Sequence, residues 1–274
     1  MQQKEIEVSS GALAKKGACK LGIEEFKKWY PNGHATLTEV LRKLQELAST
    51  ARNPLKYVNY AKWLVNNYPP TQEPLVLTEL TEKVIIHNGN IDIKSSIDGE
   101  RFIIGNGDVN IKGGVKLTEW VQISAKNVKG QNITLYGYAG ISAKGNIDVK
   151  NITAYGYADI SAEETIKATN IAAYGNAGIW AGKTIKATNI AAYGNAGISV
   201  EGTIKATNIA AYGNAGIDVE ETIKATNIAA YGYSGIWAYE INTQNIIDDS
   251  YKGIYGKINI IRPSSNQQNT NTAS

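Results

Sequence analysis

Apolar and polar residues alternate in short stretches along the second half of the chain, and glycine or asparagine interrupts these stretches at regular intervals. Residues 165–183 read TIKATNIAAYGNAGIWAGK. Alternation with a period of two indicates strands with one buried side, and this segment has room for three such strands. The side chains predicted to point inward are Ile166, Ala168, Ile171, Ala173, Ile179 and Ala181.

This segment is one unit of a tandem repeat. Nearly identical copies begin at Thr184, Thr203 and Thr222, so the period is 19 residues. A fixed period of about 20 residues is the signature of a solenoid, in which each repeat buries its apolar side against its neighbours. Helical repeats are longer and contain few internal glycines, so the pattern favours a parallel β-helix.

Less regular coils extend the repeat in both directions. Alignment of the inward isoleucines places earlier coils near Asn90, Asp108, Asn127 and Asn146, and a later coil near Glu240. At about 3.3 Å per residue and about 4.8 Å between coils, each coil is a triangle with sides of roughly 20 Å. We therefore predict a mainly β protein, a parallel β-helix (β-solenoid) of about nine triangular coils of about 18–19 residues, roughly 40 Å long.

Residues 11–68 show helical periodicity instead. A first short helix ends at Pro31-Asn32-Gly33, a second is capped by Thr36 or Thr38, and a third begins after Asn53-Pro54. The predicted organisation is a helical capping and docking domain at 1–68, a linker with a first cap strand at 69–89, the solenoid at 90–261, and a disordered tail at 262–274.

The helical segment resembles a known group of proteins. Cys19-x-x-Gly22-x-x-x-Phe26 is followed by Tyr30-Pro31-Asn32-Gly33 and then by helix residues that include Thr38. This looks like a small helical unit in uncharacterised phage and prophage proteins, where short Gly/Ile/Val/Ala repeats typical of β-solenoids often follow. The resemblance implies a phage-related origin and no known activity.

Composition and charge narrow the class of protein. The first 89 residues carry 12 Lys/Arg and 9 Asp/Glu, and the remainder carries 16 of each, so charge alone does not indicate nucleic acid. The N-terminal residues lack the apolar core of a secretory signal, and no apolar run is long enough to span a membrane. With a single cysteine, the chain fits a reducing cytoplasm.

Catalysis is not predicted. Both histidines, His34 and His87, lie outside the repeats, and Cys19 has no clustered partners for a metal, so we expect it to pack in the helical core. Asp159 and Asp218 occupy outward positions of single coils, where a solvated charge is the simpler interpretation. We expect no cofactor and no metal site.

One asparagine recurs just before an inward isoleucine. Stacked asparagines at one corner can hydrogen-bond from coil to coil, so we predict a structural ladder. An Asx-turn preference is the alternative for any single position. The predicted ladder comprises Asn132, Asn151, Asn170, Asn189, Asn208, Asn227 and Asn245.

Two outward columns are uniform. Lysines and tyrosines in line could hold an anionic polymer by charge and stacking, whereas stacked tyrosines could equally stabilise the solenoid itself. The lysine column is Lys167, Lys186, Lys205 and Lys224, with Lys129 further up the chain. The tyrosine column is Tyr136, Tyr155, Tyr174, Tyr193, Tyr212 and Tyr231.

A third outward column is not uniform. It reads Ser161, Trp180, Ser199, Asp218, Trp237 and Tyr255. Because tryptophan is enriched at binding hot spots, Trp180 and Trp237 are candidate anchors for a protein partner. Neutral drift after duplication is the alternative explanation.

These observations favour a non-enzymatic scaffold. We expect the flat sides of the solenoid, together with the helical domain, to bind another macromolecule, with a protein preferred over nucleic acid. The alternatives are a phage-encoded inhibitor of a host defence or nucleic-acid-handling factor, a self-assembling filament, and an adhesin-like or ice-binding solenoid. The sequence does not fix the oligomeric state.

Overall fold

The computed structural model describes residues 5–261 and contains a β-solenoid of about ten turns, preceded by a small helical unit. Each turn has three straight sides, which we name wall A, wall B and wall C in the order in which the chain visits them. The solenoid starts earlier than residue 90. Val84–His87 already pairs with Phe102–Gly105, and Leu75–Leu77 pairs with Ile91–Ile93, so the segment predicted as a linker with a first cap strand supplies two wall strands.

The strands of each wall pair in parallel, one per turn. Wall A contains Val84–His87, Phe102–Gly105, Gln122–Ala125, Gly140–Ala143, Asp159–Ala162, Gly178–Ala181 and Gly197–Val200. Wall B contains Leu75–Leu77, Ile91–Ile93, Asp108–Ile111, Asn127–Lys129, Ile147–Asp148, Thr165–Lys167, Thr184–Lys186 and Thr203–Lys205. Wall C contains Ile97–Gly99, Val115–Leu117, Asn132–Leu135, Asn151–Gly156, Asn170–Gly175, Asn189–Gly194, Asn208–Gly213, Asn227–Gly232 and Asn245–Ser250. Three longer strands run around the corner from wall A to wall B: Gly216–Lys224, Gly235–Thr243 and Gly253–Ile260.

Isoleucine and alanine fill the interior, as the alternation predicts. Ile171, Ile190 and Ile209 are stacked in register on wall C, and each is 1% exposed. Burying one such side chain stabilises the fold by about 1.5–3 kcal/mol. Because each coil offers its apolar side only to the coils above and below, no single repeat has a core of its own.

The corner between wall C and wall A requires glycine. Gly175, Gly194 and Gly213 have φ values of 72°, 72° and 70°, which side chains rarely adopt. A Cβ on Gly194 would also lie 3.4 Å from the backbone of Gly175 in the preceding coil. This corner therefore fixes both the turn and the close stacking of coils.

The helical unit contains four helices and one small antiparallel sheet. Its helices are α1 (Ser10–Lys15), α2 (Lys20–Trp29), α3 (Leu37–Thr50) and α4 (Leu55–Asn67), and its strands are Glu7–Ser9 and His34–Thr36. Three helices were predicted; the additional one, α1, is too short to show a periodic pattern. Thr36 and Glu39 form a capping box at the start of α3, and the backbone N–H of Thr36 lowers the pKa of Glu39.

The helical unit contacts both the edge and the outer side of wall A. Gln45 of α3 accepts a hydrogen bond from the backbone N–H of Ile86 at 2.9 Å, so it occupies a backbone donor on the open edge of the first strand of wall A. Register with Ser124 shows that Ile104 points outward, yet Ile104 is fully buried in the strand that contacts α4. The unit therefore does more than cap the end of the rod. It covers the outside of the first coils of wall A.

The last coil departs from the repeat. Asp248 stands in register with the buried Ala230. Its carboxylate accepts hydrogen bonds from the backbone N–H of Ile254 at 2.9 Å and from the hydroxyl of Ser250 at 2.7 Å. A charged side chain that accepts the hydrogen bond of a backbone N–H on an open strand edge protects that edge from pairing with the edge of another molecule. The tail predicted at 262–274 lies outside the described residues.

Candidate interaction surfaces of the solenoid

The predicted asparagines form one continuous column of side-chain hydrogen bonds along wall C. Asn189 Nδ2 donates to Asn170 Oδ1 at 2.7 Å, and Asn208 Nδ2 donates to Asn189 Oδ1 at 2.7 Å. The same contact joins every neighbouring pair from Asn132 to Asn245, at 2.7–2.8 Å. Each inner amide therefore uses one donor and one acceptor within the ladder, which is a structural role.

The tyrosine column of wall C is a closed stack. Successive rings from Tyr136 to Tyr231 lie 4.7–5.2 Å apart with interplanar angles of 4–14°. Partial burial raises the pKa of Tyr155 and Tyr193, and the neighbouring tyrosines act in the same direction. Because neighbours already cover both faces of each inner ring, the inner rings have no free face on which a ligand could stack. Its geometry supports the stabilising interpretation.

A second aromatic column lies at the adjacent corner, and sequence reasoning missed it. Trp120 stacks on Tyr138 at 4.0 Å, and Tyr138 stacks on Tyr157 at 5.1 Å. All of them are exposed, with Trp120 at 61%. The signal was available in the sequence, since the coils of Tyr138 and Tyr157 read Tyr-Gly-Tyr where the next three coils read Tyr-Gly-Asn. In those later coils Asn195 Nδ2 donates to Asn176 Oδ1 at 3.3 Å.

The lysine column lies on wall B, on the outside. Lys167 contacts Asp148 of the preceding coil at 3.3 Å. Within residues 5–261, the side chains of Lys186, Lys205 and Lys224 have no ion-pair partner. The register places these three ammonium groups in line, one per coil.

The third outward column lies on wall A in the predicted order. Trp180 is in register with Ser199, Ser199 with Asp218, and Asp218 with Trp237. Trp237 is 47% exposed, and Trp180 is half-buried because its ring leans towards the corner at Gly182. Most outward positions of wall A around the two indoles are small, except for Asp218 between them and Tyr255 beside Trp237. The small ones are Gly178, Gly197, Ser199, Gly216 and Gly235.

The helical unit contains an apolar pocket of about 310 Å³. Its walls include Phe26, Trp29 and Trp63, and Cys19 lies at its edge beside Tyr60. The expectation that Cys19 packs in the core is wrong. Cys19 is exposed, and its Sγ caps α2 by accepting a hydrogen bond from the backbone N–H of Gly22 at 3.3 Å.

Groups suited to acid–base or metal chemistry are dispersed. No cluster of three or more His, Cys, Asp or Glu side chains able to hold a metal ion occurs in the described part of the chain. His87 lies on the first strand of wall A, where burial lowers its pKa, and one ring nitrogen is 3.2 Å from the carbonyl oxygen of Glu73. His34 lies on the small antiparallel sheet of the helical unit.

No protein-family model, curated protein or solved structure matches this chain. The resemblance of residues 11–68 to phage proteins thus gains no support from a relative. Over residues 5–261, none of the helices has the length and apolar character needed to cross a membrane.

Proposed function

We propose that this protein is a non-enzymatic scaffold whose wall A binds a partner protein. The observation that carries the proposal is the pair Trp180 and Trp237, two large aromatic side chains that rise from a wall of glycine and serine. Tryptophan contributes disproportionately to binding energy at protein interfaces. Gly197, Ser199 and Gly216 between them are small, so a partner can approach the indoles from this side.

The available area fits an interface. The helical unit covers the first coils of wall A, and the open part extends from Gly140 to Tyr255. With sides of roughly 20 Å and coils about 4.8 Å apart, the open wall measures about 600 Å². This is near the lower end of the area that each partner contributes to a specific complex.

The repeat supplies the test. Ser161 and Ser199 occupy the positions equivalent to Trp180 in the neighbouring coils, so Trp180→Ser and Trp237→Ser introduce a residue that the coil already accepts. Immobilised wild-type protein is used to capture a partner from the organism that encodes it, and the purified partner is then titrated against each variant. We expect the double variant to weaken binding about 30-fold or more, which corresponds to about 2 kcal/mol.

The matched control is Trp120→Ser, which removes an exposed indole from a different corner and should leave the affinity within a few fold. An unchanged dissociation constant for the double variant would contradict the proposal.

A second candidate rests on wall B. Lys186, Lys205 and Lys224 present three unpaired cations in line, which suits an anionic polymer. Binding of single-stranded DNA or a polyanion that falls steeply with salt, and that is lost when the three lysines are replaced by threonine, would favour this candidate over the first.

The remaining proposals concern the origin, the location and the assembly of the protein. A phage or prophage origin, with inhibition of a host factor as the activity, rests on the resemblance of residues 11–68 alone. A cytoplasmic location rests on the single cysteine alone. Filament formation is less favoured, because Gln45 and Asp248 occupy edge groups near the two ends of the solenoid.

A further inference from the structure

We propose that the cleft between Trp180 and Trp237 binds an arginine side chain on an extended, positively charged segment of the partner. This inference rests on the proposed function, and it specifies the chemistry that wall A recognises. By cleft we mean the strip of wall A between the two indoles, which comprises Gly197, Ser199, Gly216 and Asp218.

The dimensions suit an extended chain. Two coils separate the tryptophans, and these coils present Gly197 and Ser199, then Gly216 and Asp218. Two coil steps give a floor about 10 Å wide. An α-helix with its side chains measures about 10–12 Å across and would fill or exceed this width, whereas a single extended strand fits. A Cβ placed on Gly197 or Gly216 would meet no atom within 4 Å, so the floor is open to a close approach by backbone.

The charge of the cleft is negative and uncompensated. The carboxylates of Asp218 on the floor, and of Glu201, Glu220 and Glu221 at the corner leading to wall B, have no ion-pair or hydrogen-bond partner among the described residues. Two acidic side chains of earlier coils, in contrast, are paired with a lysine of the coil that follows them. Asp148 contacts Lys167 at 3.3 Å, and Glu164 contacts Lys183 at 2.5 Å. A cationic partner would offset the mutual repulsion of these acids.

Arginine matches both features of the cleft. Its planar guanidinium stacks on indole faces and forms paired hydrogen bonds with a carboxylate. A lysine ammonium also pairs with Asp218, but it is more strongly hydrated and cannot form the paired hydrogen bonds. A neutral apolar segment would use the indoles and leave the carboxylates unpaired.

The test uses the full-length protein and short synthetic peptides in a glycine–serine background. One peptide carries arginines, a second carries lysines and a third carries glutamates at the same positions. Binding is followed by fluorescence anisotropy of a dye on the peptide. We expect saturable binding of the arginine peptide, weaker binding of the lysine peptide and none of the glutamate peptide.

Variants locate the site. Asp218→Ser copies the neighbouring coil at Ser199 and should weaken binding of the arginine peptide about 10-fold or more, as expected for the loss of a charged hydrogen-bond partner. Asp98→Ser on wall C removes the same charge from a distant exposed position and should change binding less than about two-fold. Trp180→Ser with Trp237→Ser should weaken it at least as much as Asp218→Ser.

The outcomes separate the two proposals. Equal effects of Asp218→Ser and Asp98→Ser, or no saturable binding of the arginine peptide, would overturn the arginine cleft. If the captured partner still depended on the two tryptophans in that case, the proposed function would stand and only its chemistry would be wrong. An affinity for the partner that does not change when both tryptophans are replaced would overturn both proposals.

Discussion

The asparagine ladder offers the sharpest test of how the solenoid is stabilised. Asn189→Ala removes two side-chain hydrogen bonds, the one donated to Asn170 and the one accepted from Asn208, both 2.7 Å long. A typical net contribution is about 0.5–1.5 kcal/mol for each bond. Because Asn189 is exposed, water can replace the lost partners. Two such bonds together contribute about 1–3 kcal/mol, and we therefore expect the lower half of this sum, a loss of about 1–2 kcal/mol in the free energy of unfolding.

The end of the ladder provides an internal comparison. Asn245 makes a single ladder bond, donated to Asn227 at 2.8 Å, so Asn245→Ala should cost about half as much as Asn189→Ala. Lys186→Ala removes an exposed side chain without a partner from the same coil as Asn189. It should stay within about 0.5 kcal/mol of wild type.

Unfolding by urea, followed by circular dichroism, measures these differences as shifts of the midpoint. With a slope of about 3 kcal/mol/M, the Asn189 variant should unfold at roughly 0.5 M less urea than wild type. Native-state hydrogen exchange should show the loss of protection concentrated in the coils adjoining Asn189. If Asn189→Ala behaves like Lys186→Ala, the ladder contributes nothing and its stabilising role is refuted.

Three further predictions concern other parts of the fold. Burial and neighbouring rings raise the pKa of Tyr193 above 10.0, so the folded state holds this proton more tightly than the unfolded state. The stability of the fold should therefore decrease as the pH rises above about 10. Tyr193→Phe keeps the stack and should reduce that loss of stability in alkaline urea titrations. Asp248→Ala restores the repeat residue and frees the backbone N–H of Ile254. Sedimentation velocity should then show association that increases with protein concentration. A monomer at every concentration would argue against an edge-protecting role of Asp248. Ile104→Ser introduces the residue that Ser124 supplies in the next coil and should destabilise the contact with α4 by about 2–4 kcal/mol. Limited proteolysis should then cleave the helical unit while the later coils resist cleavage. Equal resistance of both parts would contradict the contact.

The repeat made the solenoid predictable, because its information is local. Strict alternation in residues 165–183 fixes which side chains point inward, and a constant period of 19 fixes which residue lies above which. From these two properties follow the Asn189 ladder, the Tyr193 column and the order Trp180, Ser199, Asp218, Trp237. None of these predictions requires a contact between distant parts of the chain.

Departures from the repeat were harder to interpret. The early strands around Ile86 and Ile104 are apolar at consecutive positions, which is typical of strands buried on both sides. Their meaning depends on where the helical unit lies, and no periodicity encodes that. The aromatic column beginning at Trp120 was missed for a related reason, since the coil of Trp120 departs from the 19-residue repeat.

The sequence by itself determined the architecture of the rod and the membership of its columns, because in a solenoid the neighbours of each residue lie one period away. Only the tertiary structure decided what each column can do. It showed that the tyrosine rings cover one another's faces, that the helical unit covers the start of wall A, and that Asp218 and the corner glutamates have no partners among the described residues. Ring orientation, coverage and charge pairing depend on distances between side chains, which a one-dimensional pattern does not contain.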